Sequence, residues 1–361
     1  MTDVAMTGAN GFLGWHTRAA LRESNAGVRS VKVGSGFDLD SATASISGTS
    51  RLLHIAGVNR GSDDEVRDGN VGFADQMAEA LRRAPEPPAV VVFANSTQAT
   101  NGSIYGDAKA EAAATLGAAA RAVGAEFHDV ILPNLFGEHG RPFYNAVTST
   151  FCQLLSEGKV PTVDRDKELT LLHAQDAADL LLGTADDEAA PVRETVGGLL
   201  GRLSEIASVY RRGEIPDVAG KFDRDLFNTF RSYTFPEQAP IRLTRHADSR
   251  GSFFEIIRSH GGSGQSSFST TSPSISRGDH FHRRKIERFT VLAGSATITL
   301  RRLFTDTLYE FAVTGDEPMA VDMPTMWVHK ITNTGSGALY TSFWTNDIFD
   351  PLAPDTIAET V

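Results

Sequence analysis

A glycine-rich stretch near the start of the chain limits the available folds more than any other feature. Thr7–Gly14 reads TGANGFLG and lies between a short apolar run, Val4–Thr7, and a helical pattern that starts at Phe12. Glycines at a strand-to-helix turn let the backbone approach a pyrophosphate at the N–H-rich end of the helix. The pattern predicts a dinucleotide site formed by Gly8, Asn10, Gly11, Phe12, Leu13 and Gly14.

The rest of the first half alternates strands and helices. Apolar runs at residues 30–34, 51–56, 89–94 and 126–132 alternate with helical patterns that include residues 71–83 and 105–123. Strands separated by helices form right-handed βαβ units, which predicts an α/β domain with a Rossmann-type doubly wound parallel sheet over residues 1–240. From residue 241 to 361 the pattern changes to short strands and turns, which indicates an all-β antiparallel barrel or sandwich. A length of 361 residues suits two domains.

Charge and composition exclude several classes of function. The net charge of −11 argues against a large nucleic-acid surface, since such surfaces need clustered Lys and Arg. Cys152 is the single cysteine, so an intrachain disulfide and an oxidising compartment are not indicated. The chain starts without a secretory signal pattern and has no apolar run of membrane-spanning length. We therefore expect a cytoplasmic protein with neither nucleic-acid nor membrane partners.

The end of the second predicted strand bears on the choice of cofactor. An acidic residue about 20 positions after the glycines would bind the ribose 2′-hydroxyl of NAD. Arg29–Ser35 reads RSVKVGS and contains no acid. Basic and small residues suit a 2′-phosphate, so the sequence favours NADPH, with Arg29 and Lys32 as candidate contacts.

A tyrosine and a lysine suggest how the first domain works. Tyr105 and Lys109 are four residues apart, so they share one face of a helix. An ammonium group close to a phenol lowers its pKa, and the phenol can then pass a proton to a carbonyl oxygen during hydride transfer. Ser96, after the strand AVVVFAN, is the candidate that holds this oxygen, and Thr97 is the alternative.

These motifs resemble the extended short-chain dehydrogenase/reductase family over about residues 1–240. The resemblance rests on TGANGFLG, on HIAG at His54–Gly57, on the Tyr-Lys pair and on PNLFG at Pro133–Gly137. It implies that Ala56 and Gly57 contact the cofactor. It also implies a nucleotide-sugar substrate, for which the candidate contacts are Asn134, Asn145 and Arg165.

The second half carries a set of metal-binding residue types. His280 and His282 are two residues apart, so on a strand they face the same way, and Glu287 and His329 follow. Imidazoles with a carboxylate suit Zn²⁺ or a similar divalent metal. The spacing is similar to the two motifs of the cupin barrel, with Ser274 and Met326 standing where those motifs have glycine.

Asp248–Glu255 reads DSRGSFFE and resembles a motif of sugar-nucleotide epimerases of the rhamnose pathway. In that motif the arginine meets the substrate, which makes Arg250 a further candidate contact. Glu255 and Lys330 are open candidates for the base of such an epimerase.

The pairing of the two halves resembles bifunctional enzymes that make UDP-N-acetyl-L-fucosamine precursors for capsule and O-antigen. The stretches that agree are AGVNR at Ala56–Arg60, STQAT at Ser96–Thr100, PNLFG, DRDKELTL at Asp164–Leu171, RGSFFE, and FWTNDIFDPLAPDT at Phe343–Thr356. The resemblance implies that the cupin domain epimerises C3 of a UDP-4-keto-6-deoxy-N-acetylhexosamine. The reductase domain then reduces C4 with NADPH to give UDP-2-acetamido-2,6-dideoxy-L-talose.

Two other functions stay open at this point. The cupin domain can instead be a metal-stabilised dimerisation module beside a simple C4 reductase. A sensor that binds a sugar nucleotide without turnover is a third hypothesis, which the Tyr105–Lys109 pair disfavours because binding alone does not need it. In each case we expect a homodimer formed through the cupin domain, since exposed strands favour pairing.

Overall fold

The computed structural model describes residues 3–361. Its contacts divide the chain into two compact units. The first comprises the chain up to residue 136 with residues 140–146 and 167–195, and the second comprises residues 137–139, 147–166 and 196–361. No helix in the described part of the chain is long and apolar enough to cross a membrane.

Strands and helices alternate up to residue 132, as the sequence pattern predicts, and further short strands and helices follow to residue 195. They are β1 (Val4–Thr7), α1 (Phe12–Glu23), β2 (Val28–Val31), α2 (Leu39–Ile46), β3 (Arg51–His54), α3 (Asp63–Arg83), β4 (Val90–Ser96), α4 (Ile104–Ala122), β5 (Glu126–Leu132), β6 (Asn134–Phe136), α5 (Val147–Ser156), β7 (Glu168–His173), α6 (Ala174–Leu182) and β8 (Val192–Thr195).

The first unit is built on a parallel sheet of order β2-β1-β3-β4-β5. Its strands bury alternate residues in two cores. Ala5 and Leu52 lie in one core, whereas Met6 and Leu53 lie in the other. Apolar residues on both faces require cover on both sides, which is why the strands read as continuous apolar runs. The Rossmann-type prediction is confirmed.

Helix α3 is longer than the sequence pattern indicates, because it begins at Asp63 rather than near residue 71. The Ser62 side chain accepts the Glu65 N–H, and the Glu65 carboxylate accepts the Ser62 N–H. This reciprocal capping explains why the helix begins in an acidic stretch that lacks the apolar periodicity of a helix. Strand β2 ends at Val31, three residues before the predicted end, and Gly34 turns the chain with a φ of 76°.

The second unit adds α5 to the remaining elements of the chain. These are α7 (Val196–Tyr210), α8 (Lys221–Thr234), β9 (Ile241–Arg242), β10 (Arg245–Asp248), β11 (Gly251–Phe254), β12 (Gln265–Thr271), β13 (Ser276–Phe281), β14 (Glu287–Ala293), β15 (Ser295–Arg302), β16 (Leu308–Thr314), β17 (Met319–Met323), β18 (Trp327–Asn333), β19 (Leu339–Thr345) and β20 (Ile357–Ala358).

Two antiparallel sheets form the barrel of this unit, with orders β12-β19-β14-β17-β9 and β16-β15-β18-β13-β20. Their apolar core includes Phe289, Ile298, Val321 and Ile331. The prediction of an all-β cupin-type barrel after the parallel-sheet domain is confirmed. The division of the chain into two domains near residue 240 stays a prediction.

Helices α7 and α8 cluster with the barrel rather than with the parallel sheet. Buried polar contacts explain this. Arg231 on α8 donates to the Met323 carbonyl at 3.0 Å, and Arg288 on β14 donates to the Gly213 carbonyl at 2.7 Å. Arg288 also forms a buried ion pair with Asp322 at 2.5 Å. Such buried charges need their partners, so they hold the helices against the barrel.

Ser274 and Met326 both adopt the left-handed backbone conformation, with φ of 63° and 60°. This conformation favours glycine, because a Cβ atom crowds the following carbonyl. The two positions therefore keep the backbone geometry of the glycines that stand in the cupin motifs, although the glycines themselves are absent.

Candidate functional sites

The glycine loop packs tightly even without a ligand. A Cβ atom on Gly14 would come within 2.0 Å of the Gly8 carbonyl oxygen, and a Cβ atom on Gly8, whose φ is 70°, would come within 2.7 Å of the Ala56 nitrogen. Both glycines are therefore required by the turn itself. Gly11 is the N-cap of α1, and the first turn of that helix has no acidic residue. Its free N–H groups and positive dipole end suit an anion.

Thr7 joins this loop to the end of β3, a role that sequence reasoning missed. Its hydroxyl accepts the N–H groups of Ile55 and Ala56 at 3.1 and 3.2 Å and hydrogen-bonds His54 at 3.1 Å. The predicted cofactor residues Ala56 and Gly57 thus lie beside the glycine loop. Asn10 accepts a hydrogen bond from Arg18 at 3.1 Å.

The two basic residues predicted to select NADPH lie in different surroundings. The Arg29 guanidinium pairs with Asp3 at 2.9 Å and donates to the Ser47 carbonyl at 3.0 Å. Lys32 is exposed on the segment that follows β2. Of the two, Lys32 is the more available for a phosphate.

Ser96 and Tyr105 come together as predicted. Their hydroxyls are hydrogen-bonded to each other, and the Ser96 oxygen also accepts the Gln98 N–H at 3.2 Å. Burial raises the pKa of Tyr105, and the bond to Ser96 only partly offsets this. Tyr105 therefore holds its proton at neutral pH, as an acid for carbonyl reduction must.

Lys109 differs from the expected arrangement. Its ammonium donates to the Ala94 carbonyl oxygen at 2.6 Å and lies 4.2 Å from the centre of the Phe93 ring. Burial lowers its pKa to about 8, and Asp129 opposes this. The lysine thus fixes α4 to the end of β4, and it is not among the groups that lower the pKa of Tyr105.

The predicted substrate contacts do not form one cluster within either unit. The side-chain amide of Asn134 donates to the Thr170 carbonyl and that of Asn145 donates to the Asn59 carbonyl, both at 3.2 Å. Arg165 and Arg250 belong to the second unit. Arg165 is exposed, and Arg250 pairs with Asp248 at 2.6 Å with 89% of its side chain exposed.

All four predicted metal ligands meet inside the barrel. Their donor atoms lie within 4.8 Å of one another. One oxygen of Glu287 is 2.9 Å from His282 Nε2, 3.1 Å from His329 Nε2 and 4.0 Å from His280 Nε2. Burial alone would raise the pKa of Glu287, but His282 and the hydrogen bonds of all three histidines hold that pKa well below its usual range.

The hydrogen bonds around these histidines fit a cation. A carbonyl oxygen only accepts, so His329 Nδ1 must donate its proton to the Trp327 carbonyl at 3.1 Å. Burial lowers the pKa of His329 to about 4, so the ring is neutral at pH 7 and its Nε2 carries a lone pair. That lone pair faces the Glu287 carboxylate at 3.1 Å. Two hydrogen-bond acceptors repel each other at this distance, and a cation bound between them would remove the repulsion. Such backbone acceptors behind the ring are typical of metal-binding histidines.

Asp355 supports this cluster, and sequence reasoning did not find it. Its carbonyl accepts His282 Nδ1 at 2.6 Å. Its carboxylate accepts three successive backbone N–H groups, from Arg283 and Arg284 at 2.8 Å and from Lys285 at 2.7 Å. The only sequence signal was its place in the FDPLAPDT stretch.

A cavity of about 240 Å³ opens beside Glu287. Lys285, Asp347 and Asp355 also line it. Burial raises the pKa of Asp347, and the nearby Asp355 charge adds to this. Neither candidate base is among its lining residues: Glu255 pairs with Arg258 at 2.9 Å, and Lys330 follows His329 on β18, where successive side chains face opposite ways. Asp347 lines the cavity and has a raised pKa, which makes it a candidate for proton transfer.

The two units define the class of protein, which is a reductase-type dinucleotide domain joined to a cupin-type barrel. Residues 4–196 match the sequence model of the NAD dependent epimerase/dehydratase family, and residues 246–357 match that of the polysaccharide biosynthesis C-terminal domain. The first match covers more than half of the chain, and the chain belongs to the NAD dependent epimerase/dehydratase family. The predicted family resemblance is confirmed.

Individual relatives cover nearly the whole chain. A UDP-2-acetamido-2,6-beta-L-arabino-hexul-4-ose reductase of Pseudomonas aeruginosa is 29% identical, over 98% of each chain. The crystal structure of the capsular polysaccharide assembling protein CapF from Staphylococcus aureus is 30% identical, with a TM-score of 0.60, over 99% of this chain and 100% of that one. A second crystal form of CapF, in space group C2221, is 27% identical, with a TM-score of 0.54 and the same coverage.

Proposed function

We propose that this chain is a bifunctional sugar-nucleotide enzyme of the cytoplasm. In this proposal the barrel epimerises C3 of a UDP-4-keto-6-deoxy-N-acetylhexosamine. The first unit then reduces C4 with NADPH to UDP-2-acetamido-2,6-dideoxy-L-talose for capsule or O-antigen synthesis. The observation that supports the proposal is that each unit has its own group of candidate residues, namely Ser96 with Tyr105 in one and the Glu287 cluster beside a cavity in the other. The full-length likeness to a hexulose reductase agrees with it.

The reduction follows from the hydroxyl pair. NADPH, when bound along the glycine loop, supplies the hydride to the ketone carbon. Tyr105 gives its proton to the ketone oxygen, so that a C–H and an O–H bond form together. Ser96 hydrogen-bonds the same hydroxyl and orients it. Lys109 secures the helix of Tyr105 to β4.

The epimerisation is assigned to the cavity of the barrel. The C3 proton is acidic because it lies next to the C4 ketone. We assign Asp347 as the base: its carboxylate takes the proton, and the electron pair moves onto the ketone oxygen as an enolate. A water molecule then protonates C3 from the opposite face as the ketone re-forms, and the hydroxide that is left takes the proton from Asp347, which restores the carboxylate. His280, His282, Glu287 and His329 would hold Zn²⁺ or a similar divalent ion, which would stabilise the charge on that oxygen.

A homodimer through the second unit belongs to the proposal. Strand β12 is at an edge of its sheet, and Phe268 on it is 60% exposed beside Tyr340, at 5.9 Å between ring centres. Exposed strand edges with apolar side chains are unfavourable in a monomer.

The experiment that tests both half-reactions is NMR of the substrate in D₂O, first without and then with NADPH. Deuterium at C3 before NADPH and a 4-hydroxy product after it are expected. Tyr105→Phe should abolish reduction and keep the exchange, whereas Glu287→Gln should abolish the exchange and, with it, formation of the C3-inverted product. Reduction of the wild type without C3 exchange would favour the second candidate, a C4 reductase whose barrel is a metal-stabilised dimerisation module. Absence of both reactions would refute the substrate assignment.

A further inference from the structure

Two loops of the first unit are held against each other beside its parallel sheet. Arg60, in the loop that follows β3, donates to the Phe143 carbonyl at 2.8 Å. Asn145 donates to the Asn59 carbonyl at 3.2 Å in the return direction. Phe143 and Asn145 both have positive φ, at 59° and 50°. Left-handed backbone at two non-glycine residues is uncommon and concentrates at functional sites.

These loops bring two positive charges to one aromatic ring. The guanidinium carbon of Arg60 is 5.7 Å from the centre of the Tyr144 ring, and that of Arg141 is 4.7 Å from it. Both arginines are exposed, and Tyr144 is half-buried. Cations within about 6 Å of a ring centre are attracted to its face. The ring therefore holds both side chains in place.

Neither guanidinium has a carboxylate partner within the described residues. The contacts of Arg60 are the Phe143 carbonyl and the Tyr144 ring, and that of Arg141 is the ring. Two other arginines of this unit do have one, since Arg29 pairs with Asp3 and Arg83 pairs with Glu79, each at 2.9 Å. Two neighbouring cations repel each other. An anion bound by both would remove this repulsion.

The position of the pair within the sheet indicates which anion it binds. Strand β3 lies between β1 and β4, so the loop that carries Arg60 leaves the sheet between the glycine loop and Ser96. Ligands bind at this carboxyl edge. The pyrophosphate of a dinucleotide already has the N-terminus of α1, and a 2′-phosphate belongs beyond β2, on the far side of β1. The arginine pair is on the substrate side.

We propose that Arg60 and Arg141, positioned by Tyr144, form a binding subsite for the diphosphate of a nucleotide substrate. The inference rests on the proposed function in taking a nucleotide sugar as the substrate, and it adds the residues that would hold its phosphates. Guanidinium groups suit this task because their N–H groups match phosphate oxygens in pairs.

The test measures binding without turnover. UDP and dTDP are titrated into the full-length protein by calorimetry, and NADPH binding is followed by its fluorescence. Arg60→Ala and Arg141→Ala should each weaken binding of the diphosphates roughly tenfold or more, since each removes charged hydrogen bonds. Affinity for NADPH should stay within about twofold. Arg83→Ala removes an exposed arginine that already has a carboxylate and is the matched control, with no effect on any ligand.

Each other outcome overturns the inference. Loss of NADPH affinity with unchanged diphosphate affinity would assign the arginines to the cofactor. Unchanged affinity of both variants for all ligands would show that the two arginines have no role in binding. A wild-type protein that binds neither UDP nor dTDP would show that there is no diphosphate subsite. Thermal unfolding of each variant verifies that it is folded. Because no keto sugar is used, failure of the epimerase or reductase assignment would appear separately, in the NMR experiment.

Discussion

Replacement of the buried Lys109 by methionine should stabilise the first unit. Lys109 is 4% exposed, and burial lowers its pKa to about 8 from an ordinary 10.5. The fall of the pKa from 10.5 to about 8 means that folding costs the charged lysine about 3 kcal/mol more than it would cost the neutral amine, and at pH 7 the lysine is charged in both the folded and the unfolded chain. Lys109→Met keeps the apolar stem and removes this charge. It also removes the donor to the Ala94 carbonyl, a loss of about 1 kcal/mol. We expect a net gain of about 1–2 kcal/mol.

The pH dependence of the free energy of unfolding shows independently whether the charge on Lys109 destabilises the folded state. Between pH 8 and 10.5 the unfolded chain holds more protons on Lys109 than the folded one, so the free energy of unfolding of the wild type should rise over this range. Lys109→Met should lack that rise. Hydrogen exchange of the β1 to β4 amides in the cofactor-free protein, read by mass spectrometry, isolates the first unit from the barrel. A variant less stable than the wild type at pH 7, or one with the same pH dependence, would refute the reasoning.

Three further predictions concern the barrel. Asp355→Ala removes the acceptor of three backbone N–H groups, and it should weaken metal binding roughly 10- to 100-fold in a competition titration with a chelator. Asp347→Asn should slow C3 deuterium exchange about 10²- to 10⁴-fold, and because burial raises the pKa of Asp347, exchange by the wild type should fall on acidification sooner than for an ordinary aspartate. Ser274→Gly should raise the free energy of unfolding by about 0.5–1 kcal/mol in urea, because it relieves a φ of 63°.

Each of these predictions has a matched control. Asp306→Ala changes an exposed acid of the same unit and should leave metal affinity unchanged. Asp350→Asn alters an exposed acid of the same cavity, and a larger loss of exchange there than in Asp347→Asn would transfer the role of base to Asp350. Ser276→Gly places glycine in β13 and removes a 2.8 Å bond to Thr332, so it should destabilise the barrel. Equal effects of the two glycine substitutions would contradict the strain argument.

Local patterns predicted many of the helices and strands, because short-range geometry decides them. His280 and His282 were found from strand periodicity, and Tyr105 with Lys109 from helix periodicity. The hydrogen bond from the Lys109 ammonium to a carbonyl on β4 could not be predicted, because no spacing rule shows that acceptor. The start of α3 was missed although Ser62 and Glu65 form a capping signal that can be read from the sequence.

Roles that depend on contacts distant in sequence could not be predicted. Thr7 acts on residues 48 and 49 positions away, and Asp355 acts on residues 70 to 73 positions away. Asp347 is a candidate base only because it lines a cavity that forms when the barrel folds. In each case the residue type is ordinary, and only the assembled fold distinguishes it from other surface acids and hydroxyls.

The dependence of His282 on Asp355 has a consequence for the order of synthesis. On the ribosome His282 emerges 73 residues before the residue whose carbonyl orients it. The segment after Asp355 then pairs with β13 next to His280, through Ala358. The nascent chain can therefore present its histidines to cellular metal ions well before the loop that sets their geometry exists. Under the proposed metal assignment, selectivity among those ions would be acquired only when the last part of the barrel has been translated and has closed.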